Sequence, residues 1–401
     1  SNAVIYWISS YVAVLPKYVR KIQIFFSIIS FVLIVLFSFG FISFTYVTIW
    51  FFIGLFITGK FLKKTEKLYA EVDNVREIFQ QYHPLLNQIE NTVFTSKILK
   101  EKQQIITSED KKAGVIFQEF ARILDTFDQR NNIVISVIGN GLFLSEIYNA
   151  SKVEKWISRY QHIVEKWFHV VAFFDAENSL ANFHFNHPKF IFPEITSEKK
   201  VISGIDLGHP LLRNENRIDN NFKINKEEFF IVTGANMAGK STFLRTVSLS
   251  IVMANCGLPV CATSFKYAPI KLITSMRTAD SLTEDESYFY SELKRLKFII
   301  DEIKETDYFI ILDEILKGTN SEDKAIGSKK FVEKLSNSKS TGIIATHDVS
   351  LCALENEFID IKNYYFDAEI VNNELYFDYT LKNGVCKNMN ASFLLEKMEI
   401  V

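Results

Sequence analysis

Cysteine is scarce: Cys256, Cys261, Cys352 and Cys386 are the four in a chain of 401 residues, and none forms a C-x-x-C pair. So few exclude a disulfide framework, and the thiols read as reduced and cytosolic. Cys256 and Cys261 have a gap that zinc sites sometimes use, but no second Cys/His pair stands nearby, so no zinc is expected. An excess of either charge is also missing, with 45 Lys and Arg against 47 Asp and Glu and a net charge of −2. That excludes a globally basic nucleic-acid coat; contact with DNA would need a local basic stripe.

Charge is absent altogether from Ile22 to Gly59, a run of 38 residues. One helix of that length would reach roughly 57 Å, nearly twice the ~30 Å hydrocarbon core. Two short helices fit better, about 22–39 and 41–59, broken near Ser38-Phe39-Gly40. Lys17, Arg20 and Lys21 precede the run, and Lys60, Lys63 and Lys64 follow it. Basic residues at both ends place both ends on the cytoplasmic side, which requires an even number of crossings. Residues 1–60 are therefore expected to form a transmembrane hairpin in the cytoplasmic membrane. The competing reading is a hydrophobic core element or an oligomer interface.

What the chain does have is apolar bulk. Apolar residues make up 48 % and charged residues 23 %, which excludes disorder and low-complexity classes. Phe alone accounts for 37 residues and the mean hydropathy is +0.08, so lipid or an unusually aromatic core is implied. The length suggests two or three domains. The start, Ser1-Asn2-Ala3 without Met, reads as a remnant of tag removal, and the native chain is then expected to extend further.

Residues 61–200 read as mostly helical. Leu68, Val72, Val75, Phe79, Tyr82, Leu86, Ile89 and Val93 keep a 4-3-4-3 spacing, interrupted by Pro84, where a kink or restart is expected. Helical patterns recur over 115–127 and 153–174. The stripe is either a lever or dimerising arm or the core of an ordinary bundle. Pro188, Pro193 and Pro210 mark a boundary near residue 200, and 201–401 then alternates strand, loop and helix.

The chemistry is concentrated in that last segment. A buried-strand pattern, Glu228–Thr233, runs into Gly234-Ala235-Asn236-Met237-Ala238-Gly239-Lys240-Ser241, which matches G-x-x-x-x-G-K-[ST] and is followed by a helix from Thr242. The glycines let the backbone wrap phosphates, Lys240 sets a charge on the β/γ oxygens, and the Ser241 hydroxyl suits Mg2+. The whole loop with Thr242 is the expected nucleotide-binding element. Tyr308–Asp313 is a hydrophobic strand ending in Asp313-Glu314: Asp313 for Mg2+, Glu314 as general base. A third strand, Gly342–Thr346, ends in His347, a candidate γ-phosphate sensor.

From about His209 onward the chain resembles the ATPase domain of the MutS DNA mismatch-repair family, of the ABC-ATPase group. The family's Gly-Pro-Asn-Met-(Gly/Ala)-Gly-Lys-Ser appears with Ala235 for Pro. Asp313-Glu314-Ile315-Leu316-Lys317-Gly318-Thr319 is similar to its Asp-Glu-Ile-Gly-Arg-Gly-Thr, with Leu316 and Lys317 substituted. Ala345-Thr346-His347 and His209-Pro210 match, and Ser287-Tyr288-Phe289-Tyr290-Ser291-Glu292 sits where the family has Ser-Thr-Phe-x-x-Glu. The resemblance implies an α/β P-loop NTPase domain of ABC-ATPase type that binds ATP with Mg2+. It also implies a homodimer through that domain, with Ser287 completing the partner's site in trans.

The same resemblance implies coupling of ATP hydrolysis to DNA binding or mismatch repair, with DNA as a partner. The family's mismatch reader carries a Phe-x-Glu wedge in an N-terminal domain. Here Phe117-Gln118-Glu119, Phe192-Pro193-Glu194 and Phe331-Val332-Glu333 all lie elsewhere, so a membrane-anchored variant lacking that domain is expected. The alternative is a membrane-tethered mechanical ATPase acting on a protein partner without DNA.

Overall fold

The computed structural model describes residues 2–128, 133–197, 200–276, 288–316, 320–371 and 374–387. It divides into two compact units, Ser1–Ser179 and Leu180–Val401.

The first unit is helical: α1 Asn2–Ser9, α2 Lys17–Ser38, α3 Phe44–Asn91, α4 Lys97–Thr107, α5 Ala113–Asp128, α6 Ile133–Phe143, α7 Ser145–Tyr160 and most of α8, Val164–Asn186. The expected break near Gly40 is present. Gly40 has φ +75, its N–H bonds to Phe37 O, and Phe41 N–H bonds to Leu36 O, the paired closure that a glycine in the left-handed region allows at a helix end. Within α2 and α3, Tyr18–Ser38 and Phe44–Val72 are long and apolar enough to cross a membrane.

Two expectations about this unit change. The second apolar helix does not stop at residue 59 but continues as one helix of 48 residues. Residues 60–69 hold mostly good helix formers and no glycine or proline, so nothing ends the helix at the proposed domain boundary of 60. Of the kink or restart expected at Pro84, the restart is absent, because α3 runs through it as one helix. The buried Phe79 and Leu86 hold both sides of that proline in one core.

The 4-3-4-3 stripe belongs to that core. Leu68, Val72, Val75, Phe79, Leu86 and Ile89 are buried in it and Tyr82 packs against it, whereas Val93 lies past the helix end, exposed. Phe79 is ringed by Phe117, Phe120, Trp156 and Phe168 at centroid distances of 4.7 to 6.1 Å. Part of the phenylalanine content thus goes into an aromatic centre.

The second unit holds two main sheets. Strands β1 Glu194–Ile195, β2 Lys200–Leu207, β3 Asn220–Asn225 and β5 Ser264–Tyr267 form one in the order β1-β5-β2-β3. Because β1 already pairs with β5, this unit starts before the expected boundary at 200. The larger sheet has the order β12-β9-β4-β8-β7-β6, with β4 Phe229–Gly234, β6 Lys271–Ser275, β7 Tyr308–Asp313, β8 Thr341–Ala345, β9 Ile361–Phe366 and β12 Leu381–Asn383. Strands β10 Glu369–Val371 and β11 Glu374–Tyr376 make a separate hairpin. Helices α9 Lys240–Asn255, α10 Tyr288–Glu302 and α11 Ser321–Ser336 join the strands.

Every residue of β4, β7 and β8 is buried, the signature of parallel strands covered on both faces. β8 pairs in parallel with β4 on one side and β7 on the other. Three carboxyl ends therefore lie side by side, where ligands bind in such sheets.

Candidate nucleotide site

The loop after β4 is built by backbone geometry. Gly234 has φ +148, Met237 +67 and Gly239 +107, so the chain turns three times through the region that favours glycine. At Gly234 a side chain is also excluded by space, since a Cβ would fall 2.6 Å from Phe366 O on the paired strand. Gly239 caps α9, so the open N–H groups at that helix start face the loop.

Inside this turn the Lys240 ammonium is buried and donates to Gly234 O at 2.7 Å and Ala235 O at 2.9 Å. The contact at Ala235 is to its carbonyl, so alanine for proline leaves it intact. Asn236 and Met237 are exposed at the loop tip, and Ala238 is buried beneath it. Ser241 Oγ donates to Asp313 Oδ2 at 2.7 Å, which brings a hydroxyl and a buried carboxylate together from positions far apart in sequence. Two hard oxygen donors beside a cradle of N–H groups suit Mg2+ with a phosphate chain, so the residues present fit ATP and Mg2+.

Glu314 follows β7 at φ +55, a conformation that a residue other than glycine adopts rarely. It is held there by its N–H bond to Ala345 O at 2.9 Å. Its Oε1 lies 2.8 Å from His347 Nε2, and the same nitrogen is 3.5 Å from Lys240 Nζ. An Nε2–H donating to Glu314 accounts for the shorter distance, and that nitrogen then has no lone pair left for the Lys240 ammonium. The structure thus brings Lys240, Ser241, Asp313, Glu314 and His347 into one cluster, as their motifs require. Ser287 lies outside the described residues.

Two features of the site are missing from the sequence expectation. Glu292 Oε1 accepts the Leu316 N–H at 2.6 Å, which ties α10 to the loop behind Glu314. Its place in the Ser-x-x-x-x-Glu pattern was the available signal. A cleft also opens beside the loop, lined by His209, Asn216, Gly239, Thr242, Phe243 and Tyr379. Burial pushes the His209 pKa down and the Arg245 charge adds to this, both favouring the neutral ring. An uncharged imidazole, a tyrosine and an amide suit a flat group with hydrogen-bonding edges, such as a nucleobase.

The comparisons with known proteins agree with this geometry. Residues 230–396 match MutS domain V. This domain is of the P-loop ATPase type, and the matched residues hold β4 from Phe230 on, β7, β8 and the whole cluster. MutS protein homolog 4 of Mus musculus is 29 % identical over 213 residues, which are 50 % of this chain and 22 % of that protein. DNA mismatch repair protein MutS of Aquifex pyrophilus is 33 % identical over 209 residues, 49 % of this chain and 24 % of the relative. The MutS of Methanosarcina barkeri is 28 % identical over 298 residues, 71 % of this chain and 29 % of that protein. The chain thus spans less than a third of the length of these relatives.

Proposed function

We propose that this protein is a MutS-type ATPase that binds ATP with Mg2+, dimerises through its ATPase domain as a homodimer, and couples hydrolysis to DNA binding or repair. The observation that carries the reading is the convergence of Lys240, Ser241, Asp313, Glu314 and His347 at three adjacent strand ends. Mg2+, held by Ser241 and Asp313, would neutralise charge on the β/γ-phosphates. Lys240 leaves the loop carbonyls for phosphate oxygens. Glu314, oriented by His347, accepts the proton of the attacking water. The DNA part rests on the relatives, two of which are named DNA mismatch repair proteins.

A second reading takes its support from the two apolar helices. Tyr18–Ser38 and Phe44–Val72 would form a hairpin in the cytoplasmic membrane, with the ATPase domain on the cytoplasmic side. A tethered ATPase of this kind could act mechanically on a protein partner without DNA. Steady-state ATP turnover of the full chain in proteoliposomes, with and without duplex, mismatched and branched DNA, separates the two. Stimulation by any of these supports the DNA-coupled reading. Turnover indifferent to all of them moves the assignment to the second.

A further inference from the structure

We infer that α6 is a third membrane-embedded element, a half-helix that enters the acyl region beside the α2–α3 hairpin and does not cross it. This inference rests on the membrane reading of α2 and α3. Ile133–Phe143 contains no charged residue. At 1.5 Å per residue it reaches about 16 Å, roughly half of a ~30 Å hydrocarbon core.

Its apolar surface is too broad for a protein groove. Ile133, Val134, Ile135, Val137 and Ile138 are each between 41 % and 77 % exposed. At about 100° per residue these positions cover about 200° of the helix, where a helix docked on a core shows a stripe nearer 100°. A solvent that is apolar over that whole arc is lipid. The surface is continuous with that of the hairpin, because α6 packs on it at a glycine crossing. A Cβ on Gly54 would fall 2.2 Å from Gly141 O, and one on Gly141 would fall 2.1 Å from the Phe51 ring.

The C-terminal end of α6, where it leaves the acyl region, has its polar groups satisfied by neighbouring side chains and backbone. Phe143 O accepts from Gln23 Nε2 at 3.3 Å and from Ser27 Oγ at 3.2 Å. Asn140 Oδ1 accepts from Ser145 Oγ and from Glu146 N–H, each at 2.9 Å. The chain then bends by 83° into the polar helix α7, through Leu144 at φ +50. Thr65 Oγ1 donates to the buried Glu146 at 2.6 Å. Both anchor points, Gln23 and Thr65, adjoin the basic flanks of the hairpin. The bend therefore sits at the cytoplasmic headgroup level, and the apolar part of α6 lies in the cytoplasmic half of the bilayer.

Depth-dependent quenching tests this on the full chain in phosphatidylcholine–phosphatidylglycerol vesicles. Bimane is placed at Val134→Cys on α6, Ile28→Cys on the hairpin or Lys155→Cys on α7, each in a Cys256→Ser background. Loss of emission with acyl-chain spin labels at Val134, close to that at Ile28 and well above that at Lys155, is the expected result. Quenching at Ile28 with Val134 behaving like Lys155 overturns the half-helix and leaves the hairpin standing. No acyl-chain quenching at either Ile28 or Val134 overturns both.

Discussion

His347 Nε2 lies 2.8 Å from Glu314 Oε1, so the histidine ending one strand holds the carboxylate that follows its neighbour. Neither residue is close to the other in sequence, and the parallel pairing of β7 with β8 is what joins them. A carboxylate held this way is aimed before substrate arrives. Glu314→Gln keeps the shape and loses the base, so ATP binding should persist while turnover falls by about 10²-fold or more. His347→Ala leaves the base but not its aim, and a smaller fall of about tenfold is expected. Single-turnover hydrolysis with a parallel nucleotide titration measures both. Wild-type turnover by Glu314→Gln would remove Glu314 from the mechanism.

Lys240 bears on binding itself. Its ammonium sits between the loop carbonyls of Gly234 and Ala235, in the concavity where phosphate oxygens belong. Lys240→Ala removes a charge-assisted contact of about 1.5–3 kcal/mol, so nucleotide affinity should drop by about 10- to 100-fold, and turnover at moderate ATP should vanish. Equilibrium binding of a fluorescent ATP analogue decides it. Unchanged affinity would mean that the loop binds through its backbone alone.

The third prediction concerns completion of the site by a second chain. Ser287 precedes α10, and Glu292 on that helix is bonded to the loop behind Glu314. A partner's nucleotide engaging Ser287 would thereby be linked to the first chain's own Asp-Glu loop. Mixing a Lys240→Ala chain with a Ser287→Arg chain should restore one intact composite site per heterodimer and about a quarter to a half of wild-type turnover. Heterodimers seen by light scattering that remain as inactive as either parent would sink the trans arrangement.

These residues also mark how far sequence reasoning reaches. The phosphate loop was legible because phosphate chemistry fixes contiguous positions: two glycines, a lysine and a hydroxyl in eight residues. Asp313 and His347 were legible because each ends a strand with a strong apolar pattern. The Ser-x-x-x-x-Glu pattern marks Glu292, but its bond to the Leu316 N–H was not legible, since a side chain reaching a backbone N–H leaves no periodicity behind. The break at Gly40 was visible, yet the continuation of α3 through Gly59 and Pro84 was not. Both residues are ordinarily read as stops, and here a buried aromatic core overrides the proline. The exposed face of α6 was hidden for another reason. Its eleven residues are too few for a spanning pattern, and only the packing shows which of them face outward.

Leu316 supplies the last prediction, because two opposing effects meet there. Its φ is +56, in the region that favours glycine, and the related motif has glycine at this place. Leu316→Gly would relieve roughly 1–2 kcal/mol of backbone strain. The same side chain, however, is buried in the cluster that contains Ile315, Val332 and Leu335. Removing a buried leucine costs about 2–5 kcal/mol, and glycine adds unfolded-state entropy on top of that. Burial wins, and a net loss of about 2 kcal/mol is expected. For a unit of this size that lowers the melting temperature by roughly 4–8 °C. Gly327 sharpens the test. A Cβ there would fall 2.8 Å from Leu316 Cδ1, so Gly327→Ala must displace that side-chain tip, while in the Leu316→Gly background the new methyl enters the vacated space. Calorimetry on both single variants and the double variant should therefore give a favourable coupling of about 0.5–1 kcal/mol. A Leu316→Gly chain as stable as wild type, with additive behaviour in the double variant, would mean that strain outweighs burial at this position.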